Sequence, residues 1–416
     1  MINKYNSNNF LYIVLILIFF SSVNIYSQKF ENLALTPPMG WNSWNSFACD
    51  INEELIMKAA DEIVASGMKD AGYVYIVIDD CWQLDHRDSL GFIIPDLERF
   101  PSGMKALADY IHSKGLKFGV HSCAGSKSCA GYPGSRGHEY QDAITYASWG
   151  VDYLKYDWCN TEGLNAEGAY TTMRDALYSA RHPVVFSLCE WGNNKPWEWG
   201  EKVGHLWRTT GDIINCFDCV VDHGTWKSWG VLPILDKQDE LRKYAGPDHW
   251  NDPDMLEVGN GMTVSEDRAH FSLWCMLAAP LIAGNDLDNM SDEIKKILTN
   301  KEVIAVDQDP LGVQGFKFIS NPKIEVLFKP LVNGDWAMCV LNRSLTSQRF
   351  SFDWKKENIS DDLSKRKTQF EEITYNLKNL WTGADFGTTQ EVLKAEIPSH
   401  DVLMLRLSPV RTDELK

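Results

Sequence analysis

Acidic residues lie at the ends of several strand-like runs of the sequence, and basic residues accompany them. The run YLKYD alternates so that Lys155 and Asp157 share one face of a strand. Asp79 and Asp80 end the run YVYIVIDD, and Asp212 follows LWRTTG. A carboxylate beside a cation can act as a nucleophile, a base or an acid, because nearby charge sets whether it is ionised. The pattern predicts one polar site built by several strands.

Aromatic residues stand close to these acids. Trp82, Trp158 and Trp207 lie near them, and the chain has 16 Trp in all. Flat indole rings match the apolar faces of sugars, although core packing is the other destination for Trp. Two carboxylates with cations and aromatic rings suit glycoside hydrolysis, in which one acid attacks and the other protonates the leaving oxygen. The alternative interpretation is that each aspartate only caps the N-terminus of a helix. Capping would explain a single aspartate, but it does not account for Lys155 and Arg208 beside these acids.

The elements that must position these residues alternate between strands and helices. Strand-like runs such as KFGVHS, DYLKYD and PVVFSL are separated by helical patterns such as MKALADYIHSKG and AYTTMRDALYSAR. Later runs, HWNDPDMLEV and LIAG, bring the count close to eight units, which favours a (β/α)8 TIM barrel over an open doubly wound sheet. Active-site residues of such barrels lie at the C-terminal ends of the strands, where the acids fall. No phosphate-binding glycine motif follows a strand, which weakens a nucleotide-binding alternative.

The pattern changes from about Gly312 to that of antiparallel strands. IEVLFKPL, DWAMCVLNRS, QRFSFDW and DVLMLRLS alternate or run apolar, with a predicted turn at Asn333 and Gly334. We predict a barrel over residues 28–311 and a C-terminal antiparallel β-sandwich domain over 312–416. The charged segment DDLSKRK is expected to be a solvated loop.

The N-terminus is typical of a secretory signal. Lys4 precedes an apolar run from Phe10 to Phe20, and small residues follow up to Ser27. The run is short for a permanent bilayer-spanning helix. We expect a signal peptide over residues 1–27 and export, either to the periplasm or as a secreted protein, without stable membrane insertion after cleavage. A retained N-terminal anchor is the alternative.

Charge argues against nucleic acid as a partner. The formal net charge is -17 over 416 residues, and nothing basic is clustered to neutralise phosphates. The ten cysteines of an exported chain favour disulfides, whose connectivity the sequence leaves open. Cys216 and Cys219 form a lone CxxC, which favours a local disulfide over a zinc site. The oligomeric state is open.

The chain resembles glycoside hydrolase family 27, the α-galactosidases and α-N-acetylgalactosaminidases. Eight motifs carry the resemblance in order: TPPMGWNSWNSF (36–47), IDDCW (78–82), CAGYPGS (129–135), WGVDYLKYDWC (149–159), LCEWG (188–192), WRTTGDI (207–213), WNDPDML (250–256) and VIAVDQDPLG (303–312). They span nearly the whole predicted barrel and continue toward the β-sandwich. The resemblance implies the same fold and a hydrolase of α-galactosides that needs neither a metal nor another cofactor.

The resemblance assigns the two catalytic acids. Asp157 would be the nucleophile that forms a covalent glycosyl-enzyme, and Asp212 the general acid that later serves as base. Asp79 and Asp80 match the pair that holds the axial 4-hydroxyl and the 6-hydroxyl of galactose. Lys155 matches the residue at the 3- and 4-hydroxyls. An equatorial 4-hydroxyl, as in glucose, should be rejected because buried polar groups would stay unpaired.

Other pocket residues follow from the same resemblance. Arg208 would lie near the 2-hydroxyl, Trp44 would form the apolar wall, and Met255 is similar to a further pocket residue. Family members that accept N-acetylgalactosamine carry small residues where this chain has LCEWG. The bulk of this segment favours galactose, and the set expected to contact the sugar there is Cys189, Glu190 and Trp191.

The resemblance also pairs two sets of cysteines and leaves others open. It implies disulfides Cys49 with Cys81 and Cys129 with Cys159, and it leaves Cys189 free. Partners for the remaining cysteines are not assigned: Cys123, Cys216, Cys219, Cys275 and Cys339. His121 stands where relatives often have Tyr, and a histidine packed in the barrel wall is the simplest interpretation.

The resulting hypothesis is a retaining exo-α-galactosidase. It would remove terminal non-reducing α-D-galactose from oligosaccharides, galactomannans or glycoconjugates by double displacement. A β-L-arabinopyranosidase or α-N-acetylgalactosaminidase of the same family is the nearest alternative. A non-catalytic galactose-binding protein is an alternative of another class, and such a protein would be expected to have lost one of the two acids, Asp157 or Asp212.

Overall fold

The computed structural model describes residues 29–410 of the chain. The predicted signal peptide, residues 1–27, lies outside the described residues. Within the described range, no helix is long and apolar enough to cross a membrane.

Eight parallel strands form the first sheet. In chain order they are β1 Met39–Asn42, β2 Tyr75–Ile78, β3 Lys117–Cys123, β4 Tyr153–Asp157, β5 Val185–Cys189, β6 Leu206–Arg208, β9 Trp250–Asp252 and β10 Leu281–Ala283. Two shorter strands between β6 and β9 form a separate hairpin, β7 Val220–Asp222 and β8 Lys227–Trp229. The sheet order is β10-β1-β2-β3-β4-β5-β6-β9, and a parallel bridge between Leu256 and Ala283 links its two ends. The arrangement confirms the predicted TIM barrel.

Helices surround this sheet and follow its strands. They are α1 Trp44–Phe47, α2 Glu53–Ala65, α3 Met68–Ala71, α4 Gly103–Ser113, α5 Glu139–Trp149, α6 Ala166–Ser179, α7 Val231–Lys237, α8 Val264–Leu277, α9 Asp292–Leu298 and α10 Lys301–Asp307. Short 3-10 turns lie at Pro196–Glu198, Gly200–Lys202, Arg242–Tyr244, Val332–Gly334 and Trp354–Lys356. The local sequence determines where several helices begin. Asn52 caps α2, and Thr263 with Glu266 forms a capping box on α8.

Two local features of the barrel differ from what the sequence pattern indicated. The pattern EELIMKAADEIVASGMKDAG predicts one helix, but the chain breaks between α2 and α3. Gly67 there adopts a φ of 85°, a left-handed conformation that suits glycine and ends the helix. The strand β1 was not among the predicted runs, because TPPMGWN has only four strand residues after two prolines.

The C-terminal part is an antiparallel β-sandwich, as predicted. Its strands are β11 Phe316–Ser320, β12 Ile324–Pro330, β13 Trp336–Asn342, β14 Gln348–Phe352, β15 Asn358–Ser360, β16 Lys367–Gln369, β17 Tyr375–Asn379, β18 Asp385–Thr388, β19 Leu393–Ile397 and β20 Val402–Pro409. A six-stranded sheet, β11-β12-β13-β20-β17-β18, packs against the β14-β19 pair. The predicted turn is present, with Asn333 at φ 61° and Gly334 at φ 87° between β12 and β13.

The six-stranded sheet uses both faces. Val326 and Phe328 of β12 pack inside the sandwich, whereas Leu327, which points the other way, joins the core of the barrel. The segment DDLSKRK is only partly the solvated loop that was expected. Asp361 of this segment is 2% exposed and forms an ion pair with Arg242 of the barrel. This ion pair links the sandwich to the barrel.

Three disulfides are present among the described residues. Cys49–Cys81 and Cys129–Cys159 match the pairs that the family resemblance implied, and Cys216–Cys219 is the local disulfide expected of the CxxC. Four cysteines are unpaired within residues 29–410 and buried: Cys123, Cys189, Cys275 and Cys339.

Candidate active site

Strand register places the polar residues at the C-terminal end of the barrel. Asp157 is the last residue of β4 and lies opposite Cys123 of β3 and Cys189 of β5. Asp79 follows β2 directly. Asp157 is 6% exposed, and its Oδ2 lies 3.0 Å from Nε2 of His121. The strand end therefore holds a buried carboxylate at a fixed position.

The charges around Asp157 keep it ionised. Burial by itself raises the pKa of a carboxyl group, because a charged group is poorly solvated in the interior. The hydrogen bond from His121 and the positive charge of Lys155 outweigh this effect, so the pKa of Asp157 is lowered below its ordinary value. A carboxylate that stays ionised while buried has the property required of a nucleophile.

Asp79, which is buried, and Lys155, which is partly buried, form an ion pair next to it. Lys155 Nζ lies 2.8 Å from Asp79 Oδ2, and Asn42 Nδ2 donates to the same oxygen at 2.7 Å. Burial opposes ionisation of Asp79, but the charge of Lys155 outweighs burial and lowers the pKa of Asp79. The pKa of Lys155 is raised despite its burial, chiefly by the charge of Asp79. The pair presents a fixed acceptor and a fixed donor, which suits hydroxyl recognition.

Loops near two disulfides position Asp80. Its Oδ1 accepts from the backbone N–H of Cys81 at 2.8 Å, and its Oδ2 accepts from that of Ala130 at 2.9 Å. Cys81 belongs to one disulfide, and Ala130 neighbours Cys129 of another. The carboxyl group of Asp80 therefore has both oxygens anchored before any ligand binds.

His121 makes a contact that the sequence interpretation did not predict. Its side chain is buried in the wall, as expected, but it also bridges two acids, with Nε2 at Asp157 and Nδ1 3.9 Å from Oδ1 of Asp80. Nδ1 has no hydrogen-bond partner within residues 29–410. Burial lowers the pKa of His121, but the charges of Asp80 and Asp79 and the hydrogen bond to Asp157 raise it overall. The raised pKa favours the positively charged form of His121 beside these carboxylates.

Asp212 has a different environment from Asp157. Its side chain is 46% exposed, and its Oδ1 lies 3.0 Å from Nη2 of Arg208. The same nitrogen lies 2.7 Å from Oδ2 of Asp254, a buried residue that the sequence analysis did not select. Burial raises the pKa of Asp254. The positive charge of Arg208 acts in the opposite direction, and the negative charge of Asp212 raises the pKa further. Asp254 belongs to the motif WNDPDML, so the family resemblance was the sequence feature that could have identified it as a site residue.

The three residues of the LCEWG segment that were expected to contact the sugar have different surroundings. Cys189 Sγ lies 3.6 Å from Nη1 of Arg208, so this thiol stands at the arginine that also binds Asp212. Trp191 lines the cleft that contains Asp212. Glu190 is fully buried, and its Oε2 accepts from the backbone and side-chain N–H groups of Asn194 at 2.6 and 2.7 Å. Burial raises the pKa of Glu190 to about 7.

The remaining predicted pocket residues line two cavities. Met255 lines a small cavity of about 20 Å3 together with Lys155, Cys189 and Arg208. Trp44 lines a larger cleft of about 1120 Å3, which also holds Asp212 and Trp191. The structure thus brings the predicted residues to one end of the barrel.

The tryptophans flagged in the sequence are mostly core residues. Trp82 and Trp207 are fully buried, and Nε1 of Trp82 donates to the carbonyl of His121 at 2.8 Å. Trp158 stacks on Tyr170 with ring centroids 5.6 Å apart. The cleft is lined instead by a different set: Trp44, Trp191, Trp197, Trp226 and Trp229. Sequence proximity to an acid therefore did not identify the cleft tryptophans.

Family models match both parts of the chain. The model described as alpha galactosidase A matches residues 36–309, and the alpha galactosidase C-terminal beta sandwich domain matches residues 321–407. The chain belongs to the α-galactosidase family. The protein is therefore a glycoside hydrolase with α-galactosidase activity.

Individual members of this family are similar to the chain over most of their length. The chain is 59% identical to alpha-galactosidase A of Cellvibrio japonicus, over 93% of this chain and 96% of that protein. It is 44% identical to an alpha-galactosidase of Oryza sativa, over 92% and 87% of the two chains. Among solved structures, alpha-galactosidase I of Mortierella vinacea matches with a TM-score of 0.84 and 35% identity, covering 90% of this chain and 98% of that one.

A further similar structure is that of an α-galactosidase with raffinose. The α-galactosidase of Saccharomyces cerevisiae with raffinose matches with a TM-score of 0.85 and 31% identity, covering 92% of this chain and 99% of that one. The common fold extends through barrel and sandwich in both cases.

Proposed function

We propose that the protein is a retaining exo-α-galactosidase in which Asp157 is the nucleophile and Asp212 the acid and base. The observation that carries this proposal is the contrast between the two carboxyl groups. Asp157 is buried and kept ionised by His121 and Lys155, whereas Asp212 is half exposed in the cleft beside Arg208. Two acids with separate environments are what double displacement requires.

The proposed reaction has two displacement steps. A carboxylate oxygen of Asp157 attacks C1 of the galactose while the bond from C1 to the leaving oxygen breaks, and Asp212 gives its proton to that oxygen. A water molecule then attacks C1 as the Asp212 carboxylate takes a proton from it, and the bond to Asp157 breaks. Each step inverts the configuration at C1, so the product retains it.

Recognition of galactose rests on polar groups whose positions are already fixed by other contacts. Asp79, Asp80 and Lys155 are proposed to bind the 3-, 4- and 6-hydroxyls. A sugar with an equatorial 4-hydroxyl would leave the hydrogen-bonding capacity that remains on at least one of these groups unused, and sites built for a hydroxyl reject analogues that lack it by about 10⁴-fold or more. The anchored carboxyl of Asp80 also favours a substrate that retains its 6-hydroxyl, in contrast to β-L-arabinopyranosides.

The 2-position is proposed to be closed to an acetamide. Cys189 contacts Arg208, the arginine assigned to this side of the sugar, and Trp191 follows two residues later and lines the cleft that contains Asp212. An N-acetyl group would have to displace one of these side chains, and overpacking a fixed site is unfavourable. Galactose is therefore preferred to N-acetylgalactosamine.

A panel of three nitrophenyl glycosides tests this specificity. Purified mature protein should hydrolyse the α-galactoside with the highest kcat/KM, ahead of the β-L-arabinopyranoside and the α-N-acetylgalactosaminide. Faster turnover of the arabinopyranoside would contradict the role given to Asp80, and faster turnover of the acetylated sugar would contradict the role given to Cys189 and Trp191.

Replacing His121 should shift the pH profile on its acid side. His121→Phe removes the hydrogen bond and the positive charge beside Asp157, so the pKa of Asp157 rises from its lowered value. The carboxyl then becomes protonated and inactive at a higher pH as the solution is acidified. We expect the acid limb of kcat/KM to move up by about one pH unit, since a neighbouring opposite charge shifts a pKa by roughly 1 to 3 units.

His121→Gln is the matched variant, because an amide retains a hydrogen-bond donor without the charge. Its acid limb should fall between those of the wild type and the Phe variant. Circular dichroism of both proteins establishes that they are folded. Acid limbs that coincide in all three proteins would mean that His121 does not govern the ionisation of Asp157.

We also propose that the protein works after export to the periplasm or the medium. Three disulfides in one chain suit an oxidising compartment, since cytosolic thiols are kept reduced. Fractionation of the source cells with an activity assay tests this location, and activity confined to the cytosol would overturn it.

A further inference from the structure

A hairpin directly after the general-acid segment has no role in the mechanism above. The strands β7 and β8 form a two-stranded sheet outside the barrel sheet and the sandwich, and one parallel bridge joins Trp229 of β8 to Ile213. All three residues of β7 are exposed. Trp226, just before β8, is 52% exposed, which is unusual for the largest aromatic side chain.

Backbone hydrogen bonds fasten this hairpin to the segment that carries Asp212. The N–H of Trp229 donates to the carbonyl of Asp212 at 2.9 Å, and the N–H of Ile214 donates to the carbonyl of Trp229 at 3.0 Å. The disulfide Cys216–Cys219 closes the connecting loop. The hairpin thus has a defined position relative to the proposed acid.

Contacts within the hairpin fix the ring of Trp226. Its indole stacks on His223 with ring centroids 4.0 Å apart and planes 19° apart. His223 Nε2 lies 2.8 Å from Ser228 Oγ, and the N–H of His223 donates to the carbonyl of Trp226 at 2.9 Å. One face of the indole is covered while about half of the residue remains exposed. A rigid, exposed aromatic ring can bind a ligand at a low cost in conformational entropy.

Trp226 lines the same cleft as Trp44 and Asp212. The cleft volume of about 1120 Å3 exceeds the roughly 300 to 1,000 Å3 typical of pockets for one small molecule, so it has room for several sugar rings. Lys155 and Met255 line the separate small cavity deeper in the barrel. Because Asp212 protonates the leaving oxygen, the part of the cleft beyond it receives the leaving group.

The charge of the cleft indicates the class of leaving group. Carboxylates of Asp236, Asp239 and Glu240 and ammonium groups of Lys227 and Lys237 all line it. Asp236 and Asp239 pair with Lys317, and Lys227 pairs with Asp222, so the cleft presents neutralised charges of both signs at which hydroxyl groups can form hydrogen bonds. Neither a polyanion nor a long alkyl chain would match this mixture. Aromatic rings with interspersed polar groups fit the alternating apolar faces and hydroxyl edges of a sugar chain.

We propose that the hairpin forms a binding subsite for an uncharged carbohydrate leaving group, with Trp226 as the stacking surface. The natural substrate class is then a galactosylated oligosaccharide or polysaccharide rather than a galactolipid. This inference rests on the proposed function, because it assigns the leaving-group side of the same cleft.

Trp226→Ala tests the subsite with two substrates that share the galactosyl group. The first is melibiose, whose leaving group is one glucose, and the second is a mannopentaose with a single α-1,6-galactosyl branch. The ratio of kcat/KM for the second substrate to that for the first should fall roughly tenfold in the variant, mainly through KM. Trp226→Phe should recover most of the ratio, because it retains an aromatic face.

Val220→Ala is the matched control, since Val220 is an exposed residue of the same hairpin that does not line the cleft. Its ratio should equal that of the wild type. An unchanged ratio in Trp226→Ala, or an equal loss on both substrates, would overturn the subsite. A selective loss on a micellar galactolipid would instead assign the surface to a lipid and also overturn it. If the wild type hydrolysed neither melibiose nor the branched mannopentaose, the proposed function itself would be wrong.

Discussion

Asp157→Asn is expected to lower kcat on nitrophenyl α-galactoside by about four orders of magnitude or more, as removal of a catalytic nucleophile does elsewhere. The amide has nearly the same shape, but it cannot form the ester bond to C1. No covalent intermediate then forms, and the positions of Asp79, Asp80 and Lys155 are unchanged. Steady-state kinetics on the purified variant measure the loss.

Galactose binding provides the control for this variant. Titration calorimetry with galactose should give binding by Asp157→Asn that is comparable with the wild type, since the hydroxyl-binding groups remain. Loss of both turnover and binding would point to a damaged pocket rather than a missing nucleophile. Turnover within tenfold of the wild type would contradict the assignment of Asp157.

Asp212→Asn should lower kcat/KM by an amount that depends on the leaving group. General acid catalysis contributes about 10² to 10⁴-fold, and the contribution is largest when the leaving oxygen is a poor leaving group. Melibiose needs a proton on its sugar oxygen, whereas dinitrophenolate leaves without one. We therefore expect kcat/KM to fall by about 10⁴-fold for melibiose and by much less for dinitrophenyl α-galactoside.

Asp109→Asn is the matched control, because Asp109 is an exposed aspartate of α4 that pairs with Lys105. It should retain the wild-type kinetics on both substrates. Equal losses on melibiose and dinitrophenyl α-galactoside in Asp212→Asn would contradict the acid role of Asp212. The difference between substrates is the decisive readout, since simple loss of folded enzyme would reduce both rates alike.

The sequence predicted the barrel because its strands and helices have strong, separate periodicities. Parallel strands must place their C-terminal ends together, so acids at the ends of β2 and β4 could be expected at one site. The hairpin of β7 and β8 was beyond this reasoning. Its strands have three residues each and are held by a disulfide and by contacts to 212–214, which have no periodic signature.

The finer geometry of the site depends on side-chain contacts between distant positions. His121 and Asp157 are separated by 36 residues, and Arg208 and Asp254 by 46, so neither pair appears as a local motif. The direction of Glu190 toward Asn194 follows from a turn in which Trp191 adopts a φ of 60°. The family resemblance implied a sugar contact for Glu190, whereas neither that resemblance nor strand periodicity specifies a turn of this kind or the contact with Asn194.

Proton NMR of the first galactose released tests the central claim most directly. Hydrolysis of nitrophenyl α-galactoside in deuterated buffer should show the anomeric signal of α-galactose first, and that of β-galactose only later by mutarotation. That order follows from two displacements, with Asp157 as the nucleophile of the first. Appearance of β-galactose first would mean a single displacement by water, and it would contradict the role of Asp157 as nucleophile.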